Sequence, residues 1–498
     1  MTKGEVDAKA LKVAKTLKNA DNWKHLARWN GEGYYDLKTE DTGEVPVRLF
    51  LTPKLFTDAE DILYRQIVNA TRFPGVRMVV ITPDTHYGYG VPVGCVLITD
   101  LESGAVAMGP VGYDIGCGMM SARSEVSAEA ATPEKKLEFN REVMERVAMG
   151  AGGKSHRLGS VSKQEFNNLV RGGAEYYVEK YGATFDRSRA ERHRIPVDDD
   201  WQIPWGGKGR PERGLDQLGS LGGGNHFIEL QRAEDTGTLF LQVHTGSRGF
   251  GHGLATNYFE LAREERPDAI TDIDLGYFTP ESRHYGDYLN AVAAGGNYAI
   301  LNRLIIFEQV AEAFRKVFGA RLELIYEISH NLVQREWHPD FGEVWVHRKG
   351  ATRAFPAGHP ALRGTFWEET GHPVLIPGSN KDYSYILRPL AGAVRSGFSV
   401  NHGAGRRLSR GEATRTLSQR QIDDEYAAAG ILVNTDGRVP LDEAAPAYKS
   451  SEEVVRAVVD AGLAEIEHKL WPLASLKGTE ERKGRKRKGA GRKTSKHY

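Results

Sequence analysis

An α+β fold, built as one large domain in which strands and helices mix, is what the sequence predicts. Three observations lead there. The chain has 498 residues, 40% hydrophobic and 27% charged, which is the balance of a water-soluble protein with a sizeable core. Short apolar, β-rich runs recur along it without the regular strand–helix–strand alternation of a doubly wound sheet. Neither internal repeats nor a long linker divides it.

The elements follow in chain order. "MTKGEVDAKALKVAKTLKNA" is a charged, helix-forming start without a signal-peptide pattern. "VRMVVIT", with its core at 77–82, and "GCVLITD" read as buried strands around a loop, "PDTHYGYGVPVG". Helical periodicity appears at 134–148, 163–181 and 281–318, and the last is expected to break where Gly295 and Gly296 weaken it. "HFIEL" and "LFLQVH" read as a hairpin turning near Asp235, which sets His226 opposite His244. In "LELIYEISH", Leu322, Leu324, Tyr326 and Ile328 alternate with His330 on one face and place that histidine at the strand's exit. An amphipathic helix is expected through "SEEVVRAVVDAGLAEIEHKL".

Composition also excludes. No apolar run approaches a membrane span, and two cysteines, Cys95 and Cys117, make no disulfide framework. A cytoplasmic protein with free thiols is expected. The zero net charge hides an asymmetry: residues 482–498 hold nine Lys or Arg and no acid, leaving 57 basic against 66 acidic side chains before them. Such a tail attracts polyanions, nucleic acid above all, or simply solubilises the chain.

The chemistry concentrates in a few places. In "VGYDIGCGMM", Asp114 stands three residues before Cys117, with glycines on both sides of the thiol. Together with His226, His244 and His330 they supply one carboxylate, one thiolate and three imidazoles, a mixed donor set with room for two divalent cations and a bridging sulfur. Spacing alone leaves Cys117 open between a ligand and a small buried thiol, since no contiguous zinc signature is present. In "FSVNHGAGRRLSR", His402 precedes a glycine-rich turn and two arginines, Arg406 and Arg410, a setting in which a neutral imidazole can attack phosphorus while N–H groups hold the phosphate oxygens. "VLIPGSNKDYSYI" adds a second turn of small polar residues.

At these residues the sequence resembles the RtcB RNA ligases. The resemblance rests on "PDTHYGYGVPVG", "GPVGYDIGCG", "LGSLGGGNHFIEL", "VHTGSRGFGH", "SHNLVQRE", "HRKGATRAFP", "VLIPGSN", "HGAGR" and "PLASLKG", in the family's order from about residue 48 to 478. It implies a single ligase domain over 1–478 around a dinuclear metal centre, with a basic tail at 479–498. It further implies joining of RNA 3′-phosphate or 2′,3′-cyclic phosphate ends to 5′-hydroxyl ends, with GTP and two Mn²⁺ ions, in tRNA splicing or RNA repair.

The roles it implies are specific. Asp114 and His226 would share one ion with a bridging Cys117, and His244 and His330 would hold the other. His402 would carry GMP covalently. Asn225, His226, Phe227, Ile228, Glu229, His330, Asn331, Pro377, Gly378, Ser379, Asn380, Ser384, His402, Gly403, Ala404, Gly405 and Lys477 match guanylate-binding positions. Arg248, Lys349, Arg406 and Arg410 match positions that hold RNA phosphates. An archease-type activator is an implied partner; no membrane is. Gly116, Asn380 and Asn401 depart from the family's usual residues beside the site. Two alternatives share these residues: a guanylyltransferase that caps 3′-phosphate ends without joining, and a non-catalytic RNA-binding paralogue.

Overall fold

The computed structural model describes residues 17–183, 185–189 and 194–478. The basic tail, and residues 1–16 of the expected first helix, lie outside them. Two mostly antiparallel sheets organise the rest, in keeping with the α+β reading. The seven-stranded sheet has Val76–His86, Val93–Asp100, Gly342–Lys349 and Asn331–His338 as adjacent strands. The eight-stranded sheet runs from Glu323–Ser329 through Gly118–Ser127, Thr238–Thr245, Phe227–Ala233, Ala464–Lys477 and Ser384–Pro389 to Val374–Ile376, and its eighth strand, Leu432–Val433, pairs with Ala464–Lys477 off that path.

One stretch of chain joins the two sheets. Glu323–Ser329 belongs to the eight-stranded sheet and Asn331–His338 to the seven-stranded one, with His330 alone between them. His330 therefore sits at the corner where both sheets meet.

The helix Tyr285–Phe318 runs unbroken through Gly295 and Gly296, against expectation. Its flank explains why. A Cβ on Gly295 would stand 2.9 Å from the Ile115 side chain, and one on Gly116 would stand 2.7 Å from Ala299. The glycines let the Asp114–Cys117 loop lie against the helix, and burial on both sides outweighs a propensity cost of about 1 kcal/mol each. Lys163–Tyr181, Pro133–Arg146 and Arg248–Glu265 pack around the same helix. Their apolar faces complete the larger core with Phe139, Phe166, Phe250 and Phe314.

Three other expectations are corrected. The expected C-terminal helix ends at Asp460, and Ala464–Lys477 is a strand. Gly462, at φ +64°, turns the chain out of the helix, and the alternation in "AEIEHKL" is the period of a strand. The hairpin pairs Phe227, not His226, with His244. Its turn is closed by Gly237 donating to the Ala233 carbonyl, which moves the centre between Asp235 and Thr236. Finally, a bulge between Leu324 and Tyr326 breaks the single face. Leu322 and Leu324 join the helix-side core, while Tyr326 and Ile328 pack with Met119 and Phe227.

Candidate metal and nucleotide site

Five donors from four segments converge. Asp114 and Cys117 come from the loop pinned against the long helix, His226 from the turn before Phe227–Ala233, His244 from Thr238–Thr245, and His330 from the corner. Cys117 Sγ lies 3.3 Å from His244 Nε2 and 3.6 Å from His226 Nε2. His226 Nε2 is 3.2 Å from Asp114 Oδ2, and His244 Nε2 is 3.4 Å from His330 Nε2. The donor atoms fall into two groups, Asp114–Cys117–His226 and Cys117–His244–His330, each within 4.8 Å, with the sulfur common to both.

This donor set fits divalent cations. Separations of 3.2–3.6 Å are the edges of a coordination shell with metal–ligand distances of about 2.0–2.3 Å. His226 Nδ1 faces the Leu221 carbonyl at 3.1 Å and His244 Nδ1 the Asn225 carbonyl at 3.0 Å. Those bonds keep the proton on Nδ1 and turn the Nε2 lone pairs toward one another, an arrangement that a cation between them stabilises. Burial, with neighbouring charges, holds the pKa of His244 and His330 well below the ordinary histidine range, which keeps both rings neutral.

Charge favours a cation as well. Burial alone would raise the Asp114 pKa, yet the His226 ring, Cys117 and the Ser247 amide bring it down to about 2. Burial and the Asp114 charge push the Cys117 thiol well above its ordinary value, and a bound cation is what reverses that.

The support beneath the donors is a single arginine. Arg303, fully buried on the long helix, donates to the carbonyls of Gly116 at 2.7 Å and Thr245 at 2.9 Å, and to Ser329 Oγ at 2.8 Å. These acceptors are the neighbours of Cys117, His244 and His330. Glu327, equally buried, neutralises the guanidinium.

His402 faces the cluster. Its ring lies 4.8 Å from that of His330, at 69°. Its Nδ1 is 2.6 Å from Asp84 Oδ2, and the same oxygen accepts the amides of His402 and Gly403 at 3.1 Å each. The Nδ1 contact is close but poorly aligned for a hydrogen bond. Asp84 is wholly buried, which alone would raise its pKa, but the His402 charge and hydrogen bonds hold it low. The ring is thus fixed by one nitrogen, and Nε2 is left for chemistry.

Both features open into one cavity of about 380 Å³. Asp114, Cys117, His244, His330 and His402 line it together with Asn225, Phe227, Glu229, Asn331, Pro377 through Asn380, Gly403 through Gly405, and Lys477. Of the predicted nucleotide- and phosphate-contacting residues, His226, Ile228, Ser384 and Arg248 are not part of its wall. Ile228 points into the larger core. Ser384 Oγ accepts from the Gly378 amide at 3.0 Å and so shapes the 377–380 turn. Arg248 donates to Ser220 Oγ and to the carbonyls of Gly150 and Ala151.

The three departures have local reasons. Gly116 adopts φ +77° against Ala299, a position that leaves no space for a side chain. Asn380 accepts from Tyr426 Oη, and Asn401 Nδ2 donates to the Gly403 carbonyl at 2.8 Å, tying the turn after His402.

Cations gather on another part of the wall. Arg406, Arg410 and Lys477 lie 3.3, 3.4 and 3.7 Å from the buried Glu443 carboxylate, which also accepts from Tyr448 Oη. Lys349 behaves differently. Its Nζ donates to the carbonyls of Tyr89 at 2.6 Å and Val91 at 3.1 Å, and burial lowers its pKa to about 8.

Sequence reading had not singled out Asp84, Arg303 or Glu443. Asp84 stands inside "PDTHYGYGVPVG", whose Pro–Asp start gave a signal. An arginine amid the apolar run "AILNRLIIF" gave another. Glu443 gave none.

A family model described as tRNA-splicing ligase RtcB matches residues 66–478. Among curated proteins, the chain is 36% identical over 467 residues to a tRNA-splicing ligase RtcB of Pyrobaculum aerophilum, covering 87% of this chain and 95% of that one. It is 35% identical over 465 residues to the namesake of Thermococcus kodakarensis, with 87% and 95% covered. An RNA-splicing ligase RtcB of Mycobacterium tuberculosis is 36% identical over 437 residues, 83% of this chain and 100% of that protein.

Proposed function

This chain belongs to the RtcB family of tRNA-splicing ligases, and from that premise we propose that it is a GTP-dependent RNA ligase joining 3′-phosphate or 2′,3′-cyclic phosphate ends to 5′-hydroxyl ends through a His402–GMP intermediate. The observation that carries the reading is the placement of His402, its Nδ1 on Asp84 and its ring 4.8 Å from that of His330, in one cavity with the donor cluster.

Each residue then has work to do. Asp84 holds the His402 ring and stabilises the positive charge that develops when Nε2 attacks the α-phosphorus of GTP. A P–N bond forms, the bond to the β-phosphate oxygen breaks, and pyrophosphate leaves. Cations held by Asp114, Cys117, His226, His244 and His330 would supply positive charge against the phosphate oxygens. By the usual affinity order this donor set prefers Zn²⁺ to Mn²⁺, so manganese rests on the family resemblance.

The 403–405 and 377–380 turns suit guanylate binding, with Lys477 and Glu229 on the same cavity wall. An oxygen of the RNA 3′-phosphate next displaces His402 from the GMP phosphorus, giving an RNA–GMP anhydride. The 5′-hydroxyl of the other end then attacks the RNA phosphorus and GMP departs. A cyclic phosphate end is opened by water beforehand. Arg406 and Arg410 line the wall where these phosphates pass.

The test is incubation with α-labelled GTP and Mn²⁺, wild type against His402→Ala, followed by RNA with 3′-phosphate and 5′-hydroxyl ends. A His402-dependent label and a joined product are expected. A label without joining, in the presence of an archease-type activator, would favour end-capping. No label with any divalent metal would overturn the reading.

A further inference from the structure

The loop after His86 presents Tyr89 with 67% of its surface exposed, although the residue lines the reactive pocket. Of the large hydrophobic side chains exposed among the described residues, it alone lines the cavity. Its backbone is held rigidly. Gln66 brackets Gly88, accepting from its amide at 2.9 Å and donating to its carbonyl at 2.5 Å. Asn69 donates to the Gly90 carbonyl at 2.8 Å, and Lys349 spends two bonds on the carbonyls of Tyr89 and Val91. Gly90, at φ +71°, fits so tightly against the Asp274 carbonyl that a Cβ would approach it to 2.6 Å.

Among the described residues, the ring has one aromatic neighbour. Tyr89 meets Tyr113 edge-on, at 6.1 Å and 88°. Tyr113 is in turn stacked on Phe259 at 4.6 Å and on His252 at 5.4 Å. So many fixed bonds holding an aromatic ring in water, beside a cationic cavity, suggest a ligand with a flat face and a phosphate attached. A nucleobase meets that description, and base–aromatic stacking is insensitive to base identity.

We propose that Tyr89 is a stacking platform for the nucleobase of one RNA end, holding that end in register while its terminal phosphate or hydroxyl reaches the cavity. The proposal rests on the ligase reading above and adds a subsite to it. The 3′-terminal and 5′-terminal nucleotides offer the same flat face, and the experiment separates them.

Joining rates would be compared for intact RNA pairs and for pairs carrying an abasic nucleotide at the 3′-phosphate end or at the 5′-hydroxyl end, with wild type, Tyr89→Ala and Tyr89→Trp. For one of the two ends, the abasic substitution should cost the wild type roughly 5- to 100-fold in kcat/KM. It should cost Tyr89→Ala almost nothing more, because the stack is already gone, and Tyr89→Trp should restore the penalty. GMP labelling of His402 should be equal in all three proteins. An abasic penalty as large in Tyr89→Ala as in wild type, at both ends, would overturn the platform, and so would a loss of labelling in Tyr89→Ala. The same oligonucleotides titrated by fluorescence anisotropy give the comparison for binding alone. A wild type that binds but joins nothing would count against the ligase reading, while the abasic difference still judges Tyr89.

Discussion

Two buried charge clusters sit within the same site and are built on opposite accounts of charge. In the first, Arg303 and Glu327 are both fully buried, and the five N–H donors of the guanidinium are met by Glu327, Gly116, Thr245 and Ser329. In the second, one buried acid, Glu443, faces three cations, Arg406, Arg410 and Lys477, which also border the cavity. The first is closed: every guanidinium donor already has an acceptor in the protein. The second has cations in excess of its acid, and a phosphate can supply the missing charge. The difference teaches how to tell a structural ion network from a binding one: count whether the protein answers its own charges.

The largest expected effect lies in the closed cluster. Arg303→Met takes the guanidinium from the buried Glu327 and releases the carbonyls of Gly116 and Thr245 beside Cys117 and His244. It should lower stability by about 3–5 kcal/mol in chemical denaturation and reduce bound divalent metal, read by elemental analysis. The double variant Arg303→Met/Glu327→Leu should recover much of the stability without the metal. An unchanged unfolding midpoint for the single variant would mean the cluster is not closed in the sense argued.

Glu229 marks the limit between the two. It is buried on the cavity wall, bonded to Gln231, and in no ion pair among the described residues. Burial raises its pKa to about 7 from 4.5, with Gln231 and Lys477 opposing. Because the folded pKa lies above the unfolded one, the folded state keeps the proton through pH 4.5–7 while the unfolded chain loses it. Stability therefore falls as pH rises through that window, by up to roughly 3 kcal/mol. Glu229→Gln should flatten this slope, so that denaturation at pH 5 and pH 8 gives nearly equal differences from a common baseline. A slope that survives the substitution would place the titrating group elsewhere.

What the sequence displayed and what it hid divide along the same line. The five donors and His402 stood in glycine-rich or strand-end settings, and the structure brings His402 and four of the donors to one cavity, with His226 completing the donor cluster. Local patterning also showed the strands Val76–His86, Val93–Asp100, Phe227–Ala233, Thr238–Thr245 and Glu323–Ser329. It could not show the register of the 227–245 hairpin, which depends on one residue in a turn, nor the strand after Gly462, where helix and strand periods overlap in a short run. The groups that hold the site together were hidden because their partners are distant: Asp84 and His402 are 318 residues apart. Glycines read as helix breakers, Gly295 and Gly296, proved to be contact surfaces, since what touches them comes from another segment.

The smallest expected effect is the one that separates the clusters best. Glu443→Gln removes the carboxylate that faces three cations while keeping the shape of the side chain. Arg406 retains other acceptors, the carbonyls of Leu408 and Asp442 and the hydroxyl of Tyr448, so the wall should keep its form. Lys477, however, loses its counter-charge at 6% exposure, while Arg410 is 43% exposed and partly solvated. The expected cost is therefore modest, about 1 kcal/mol in the absence of ligand. Linkage then fixes the sign of the second effect. An anion that supplies the missing charge restores that free energy, so inorganic phosphate or GTP should bind the variant about fivefold more tightly and raise its melting temperature more steeply. Arg303→Met should gain nothing from either anion. Calorimetric titration of both variants makes the comparison: destabilisation of Glu443→Gln without tighter anion binding would show that this acid, too, only holds the fold.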